Sequence, residues 1–201
     1  MTKGRLEAFS DGVIAIIITI TILLIDLPEA DDLTSLKALL PISISYLMSF
    51  IMVGTNWVNH HHLLQVAGKV DGKILWANLL YLFVLSFVPL ATGWVGRSHF
   101  ALLPTRVYVI LSLAIALSYA LLQHTIVRAA DCKLLQNAVS ESRKERQTVA
   151  LEALALAATF IPRLHLLALP LLLAAMAPWI IPDLRLKEVF EKRQQDGGEK
   201  E

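Results

Sequence analysis

The chain has 201 residues, of which 56% are hydrophobic and 17% charged, with a formal net charge of +1 and a mean hydropathy of +0.60. A soluble domain carries about a quarter charged residues, so the composition, together with several apolar runs of about 20 residues, points to an integral membrane protein. The single cysteine, Cys132, excludes an intrachain disulfide framework.

Residues 1–28 invite comparison with a signal peptide. The start mixes Lys3 and Arg5 with Glu7 and Asp11, and the apolar run ends in "IDLPEADD", without small residues at a cleavage spacing. The segment reads instead as a retained first helix, from about Leu6 to Leu27, stopped by Pro28. The second helix begins near Thr34, an N-cap following Asp32, and runs to about Gln65. At 1.5 Å per residue that is roughly 48 Å, longer than the hydrocarbon core, so it tilts, kinks near Pro41 or protrudes. The third covers residues 74–94, with Pro89 late in the span, and the fourth runs from about Thr105 to Val127. The fifth, about Gln147 to Ile161, is short and interrupted by Glu152; the sixth, "HLLALPLLLAAMAPWII", ends at Pro182. The expectation is an all-α bundle of six transmembrane helices over residues 1–182, followed by a charged cytoplasmic tail at 183–201.

Lysine and arginine placement sets the orientation. With the N-terminus inside, fourteen of these residues fall on the cytoplasmic side and four (Lys37, Arg97, Arg106 and Arg163) on the other, so both termini are expected in the cytoplasm. On the opposite side, Asp26, Glu29, Asp31 and Asp32 crowd the loop after the first helix. They form either an ordinary solvated loop or, in an oligomer with this helix near its axis, a negative vestibule that concentrates cations.

On a wheel of 100° per residue, Arg5, Phe9, Gly12, Ile16, Thr19 and Leu23 share one face of the first helix, with Ile20 beside them. Asp11 lies about 140° from Ile16, and Ser10 about 120° away on the other side. The stripe by itself fits lipid contact or ordinary helix packing. An aspartate facing lipid is costly, about 3 kcal/mol at mid-helix on insertion scales, so Asp11 needs a partner. Trp57, His60 and Gln65 in the second helix and Asn78 in the third lie at matching depth, and an Asp-His-Asn set would satisfy itself by charge-assisted hydrogen bonds. His60, His61 and His62 point about 100° apart and read as hydrogen-bonding groups rather than ligands of one metal ion. Glu152 pairs with His124 or Arg128, or faces neighbouring helices; Ser43, Ser45 and Ser49 allow close helix approach. No GxSxG, HExxH, P-loop or Gly-rich dinucleotide turn occurs, so no enzyme is indicated. "SRKERQ" reads as topogenic rather than as a nucleic-acid contact, and the filter sequence TVGYG is absent.

Arg5-x-x-x-Phe9-Ser10-Asp11, the following "AIIITITILLIDLP" and Trp57-x-x-His60 resemble the signature of the transmembrane-protein-175 family, the endosomal and lysosomal potassium channels and their prokaryotic relatives. The single set of six helices resembles the prokaryotic branch. The resemblance implies a homotetrameric, potassium-permeable channel in the plasma membrane of a prokaryote, with no cofactor beyond the permeant ion and no partner beyond itself, the bilayer and monovalent cations. It implies a pore lined by the first helix, with Ile16 at the central constriction, Ile20 and Leu23 further out, and Thr19 contributing to selectivity with Ile16. Arg5, Phe9, Ser10, Asp11, Trp57, His60 and Asn78 would form the network that ties the first helix to its neighbours. The alternative is a proton- or metal-coupled secondary transporter using Asp11 and the histidines.

Overall fold

A computed structural model describes residues 2–28, 32–67, 70–129 and 143–180. The regular elements among them are all helical: α1 (Lys3–Ile22), α2 (Leu33–Ala38), α3 (Leu40–Val66), α4 (Gly72–Leu85), α5 (Val88–Arg97), α6 (Leu102–Ala129), α7 (Arg143–Ala158) and α8 (Ala168–Ile180), with one 3-10 turn at His165–Leu167. Glu29, Asp31 and the charged tail at 183–201 lie outside the described residues. Among the described residues, two stretches are long and apolar enough to cross a bilayer, Gly72–Arg97 and Leu102–Ala129.

Proline divides two of the predicted helices. Pro41 sits in the first turn of α3, where its missing N–H costs nothing, and α2 ends just before it at Ala38. Asp32, rather than Thr34, caps α2, accepting from the Ser35 amide at 2.6 Å. Pro89 likewise opens α5, and its ring cannot sit over the carbonyl of Leu85, the last residue of α4. The third predicted helix is therefore two helices in line, joined at Ser86 and Phe87.

The bundle follows from these pieces. α1 lies against α3, α5 and α4; α3 packs on α5, α6 and α8; α4 packs on α6; α7 and α8 form a hairpin against α6. Tyr81, Tyr108, Ile14, Leu63, Leu64, Leu85 and Leu122 are fully enclosed between them. Hydroxyls bind α3, α5 and α6 together. Thr92 donates to the Val88 carbonyl at 2.7 Å, so Ser49 supplies the proton of its 2.6 Å contact with Thr92, and Tyr108 donates to Ser49 at 2.8 Å. One direction satisfies all three groups.

α3 and α5 approach closely because residue 96 is glycine. A Cβ there would lie 2.5 Å from Ser45 Oγ and 2.6 Å from the Ile42 Cα, against backbone that cannot swing aside. Gly96→Ala should therefore destabilise the fold by about 1–3 kcal/mol, seen as a lower thermal midpoint of the detergent-solubilised protein. Gly4→Ala, at a helical position with nothing within 4 Å, should leave the midpoint unchanged or raise it.

Candidate functional site

The first helix presents two different faces. Leu6, Ser10, Ile14, Ile17 and Thr21 are buried against the bundle. Arg5, Phe9, Gly12, Ile16, Thr19, Ile20 and Leu23 are all exposed, Ile16 at 57% and Leu23 at 76%. The stripe drawn by spacing alone is thus the face that none of the other described residues covers. Thr19 donates its hydroxyl to the Ile16 carbonyl at 3.0 Å, which leaves its oxygen lone pairs free to face outward.

The buried face is fastened by polar groups. His60 Nε2 donates to Asn78 Oδ1 at 2.8 Å, Asn78 Nδ2 donates to Ser10 Oγ at 3.0 Å, and Ser10 donates to the Leu6 carbonyl at 2.9 Å. All three side chains are fully buried. The amide oxygen of Asn78 can only accept, so the chain places the imidazole proton on Nε2. The ring of His60 stacks on Tyr81, centroids 5.4 Å apart, and Tyr81 donates to Asn56 Oδ1 at 3.1 Å. In this way α3 and α4 hold a serine of α1 through four connected side chains, Asn78, His60, Tyr81 and Asn56.

Asp11 takes a different partner. The Trp57 indole N–H donates to its carboxylate at 2.9 Å, at the half-buried edge of the α1–α3 contact. The expected Asp-His-Asn set is therefore a Ser-Asn-His set with a separate Asp–Trp pair beside it. The cause is azimuth: Ser10 and Asp11 point about 100° apart on one helix, and only Ser10 faces Asn78. Lys3 adds a third tie, donating from Nζ to the Gln65 carbonyl at 2.7 Å and so satisfying one of the free carbonyls at the end of α3. The side chain of Gln65 turns instead to His61, with Nε2 atoms 3.0 Å apart. Arg5 and Phe9, the remaining motif residues, stand on the exposed stripe. Tyr81 and Asn56 were missed by sequence reasoning, although Tyr81 shares a helical face with Asn78, three residues earlier.

Beyond the far end of α1, the acids have local roles. Asp26 pairs with Arg97 at 3.2 Å, both exposed, and Arg97 also donates to the Leu24 carbonyl at 3.2 Å. The Ser35 amide, as α2's free N-terminal donor, holds the Asp32 carboxyl below its ordinary range. Glu152, expected to pair with His124 or Arg128 or to face neighbouring helices, accepts from Ser112 on α6 at 2.6 Å. Asn78→Leu would leave the Nε2 proton of buried His60 without an acceptor. It should cost about 1–3 kcal/mol and lower the thermal midpoint of the solubilised protein more than Trp57→Phe, whose Asp11 partner is open to water.

The likeness to known proteins falls on the same elements. Residues 5–89, from the motif to the start of α5, match the family model described as endosomal/lysosomal potassium channel TMEM175. A protein named as a potassium channel in Chryseobacterium sp. (strain P1-3) is 44% identical over 96% of this chain and all of its own length. One of the same description in Streptomyces collinus is 44% identical over 41% of this chain and 42% of its own. The crystal structure of a lysosomal potassium-selective channel TMEM175 homolog from Chamaesiphon minutus superposes with a TM-score of 0.76 at 28% identity, covering 89% of this chain and 96% of that one. Identity of this extent over nearly the whole of two chains, joined to the same fold, shows that the protein belongs to the TMEM175 family.

Proposed function

We propose that the chain is a potassium-permeable channel, assembled as a homotetramer with α1 of each subunit around a central axis. The observation that carries this reading is the exposed stripe of α1. A face that met only lipid would have no use for Arg5 and Thr19 beside its isoleucines. A face around an axis uses both the polar and the apolar members. The names of the 44%-identical relative and of the superposed structure support potassium as the ion.

On this reading Ile16 of four subunits forms the narrowest ring, with Ile20 and Leu23 widening toward the outside. An apolar ring of this kind excludes water when narrow and readmits it after a small widening, which gates ions without a moving charge. Thr19 places a ring of hydroxyl oxygens one turn beyond Ile16, and selectivity belongs to these two positions. Asp26, Glu29, Asp31 and Asp32 supply a negative outer mouth. Asp32 contributes a full charge there, and Asp26 less, because Arg97 is its neighbour. Six crossings with both termini in the cytoplasm of a prokaryotic cell agree with the fourteen-to-four bias of basic residues.

The anchor network positions the ring. Ser10 and Asp11 stand five to six residues before Ile16, about 8 Å along the axis, on the side turned into the subunit. Asp11 is engaged by Trp57 and lies off the stripe, so it acts as a fastening group rather than an ion site.

Purified protein in liposomes should pass potassium down its gradient. Ile16→Asn, which places a polar ring at the constriction, should raise conductance and lower the potassium-to-sodium permeability ratio, read from reversal potentials. Asp11→Asn keeps an oxygen to accept the Trp57 proton and should retain flux, whereas a proton- or metal-coupled transporter would lose it. Absence of potassium flux, or permeation indifferent to Ile16→Asn, would overturn the proposal.

A further inference from the structure

A second polar centre lies between α3, α6, α7 and α8. α3, α6, α7 and α8 enclose a cavity of about 460 Å³, whose lining includes Asn59, Ser112, Tyr119, Thr148, Glu152 and Trp179. This is the size of a small-molecule site, about 300–1,000 Å³. Glu152 is 3% exposed. Its Oε1 accepts from Ser112 at 2.6 Å, while Oε2 has no hydrogen-bond partner among the described residues. Several other polar groups of the wall are engaged with one another: Trp179 donates to Thr148 at 2.6 Å, Tyr119 to the Asn59 carbonyl at 3.2 Å, and Asn59 to the Trp179 carbonyl at 3.0 Å. The carboxyl group of Glu152 thus stands as a buried acidic function in the cavity wall with an oxygen that no described residue engages.

We infer that this cavity is a binding site for a small organic ammonium, with its N–H donors on Glu152 Oε2 and its apolar body among the surrounding side chains. A buried acid with an unused oxygen calls for a cationic donor. One carboxylate and one hydroxyl are too few oxygens to replace the hydration shell of a bare metal ion, which takes about six to eight. An ammonium with an apolar substituent needs no such shell. Tyr119 and Trp179 meet edge to face, centroids 5.8 Å apart, and give the cavity an aromatic wall suited to a cation. Glu145 and Arg146 also line it, the former holding Gln123 at 2.6 Å and the latter exposed at the mouth. Glu152 stands six residues deeper along α7, about 9 Å. A neutral amine that meets the acid form takes the carboxyl proton onto nitrogen and gives the same pair.

The test is a binding measurement, independent of ion flux. Benzylammonium and its neutral counterpart, benzyl alcohol, are titrated into the full-length purified protein and followed by calorimetry. The wild type should bind benzylammonium saturably and at least about tenfold more tightly than the alcohol, and Glu152→Gln should abolish that preference. Ala116→Phe, which fills the cavity and leaves Glu152 intact, should lose the ammonium as well. Equal affinity for the two probes, no saturable binding by the wild type, or ammonium binding that survives either substitution would overturn the inference.

Discussion

A buried primary amide has two ends that cannot both be left unpaired, and Asn78 spends its two on different helices. Its oxygen takes the proton of His60 on α3, and its nitrogen reaches Ser10 on α1. The net worth of each hydrogen bond is small, but stranding either buried partner costs about 1–3 kcal/mol. The three helices are therefore held in one rotational setting, because turning α1 by a single residue carries Ser10 about 100° away. Everything else about α1 depends on that setting. With Ser10 inward, Ile14 and Ile17 pack in the core, and Ile16, Thr19, Ile20 and Leu23 are left outside.

The ties to α1 are graded by environment. The Ser10–Asn78–His60 chain is fully enclosed, the Asp11–Trp57 pair sits at a half-open edge, and the Asp26–Arg97 pair is in the open. An exposed ion pair contributes about 0–1 kcal/mol and is screened by salt. The helix is thus firmly held near its start and more loosely toward its far end. Displacing α1 alone would strand buried donors. Moving it together with α3 and α4 would leave that chain of bonds intact, but would break the buried Ser49–Thr92 and Ser49–Tyr108 contacts that bind α3 to α5 and α6.

Much of this was legible in the residues. Spacing by 100° separated the free face of α1 from its fastened face, because both faces are long and each is marked by chemistry, isoleucine on one side and serine with aspartate near the other. Trp57, His60 and Asn78 stood out as polar groups at one depth in apolar helices. Which of them met Ser10 and which met Asp11 was not legible, since that turns on how α3 and α4 are rotated about their own axes. The break at Pro41 was one of the outcomes expected from length. The break at Pro89 was not, because the flanking sequence is apolar on both sides and reads as one span until the carbonyl four residues earlier is considered.

Of the two readings open for Glu152, a pairing with His124 or Arg128 or a place against neighbouring helices, the second holds, for a reason of register. Gln123–Glu145, Ser112–Glu152 and Arg106–Thr159 fall on one antiparallel register between α6 and α7. In that register Glu152 meets the level of Ser112, twelve residues or about 18 Å from the level of His124. A boundary for α7 drawn at Gln147, four residues late, left nothing to fix that register. The consequence reaches beyond one contact. A glutamate near His124 or Arg128 would be neutralised by its neighbour and closed off, whereas one opposite Ser112 keeps an oxygen free inside an aromatic-walled cavity. The match to the family model ends at residue 89, so the cavity, built mostly from α6, α7 and α8, lies largely outside the matched stretch.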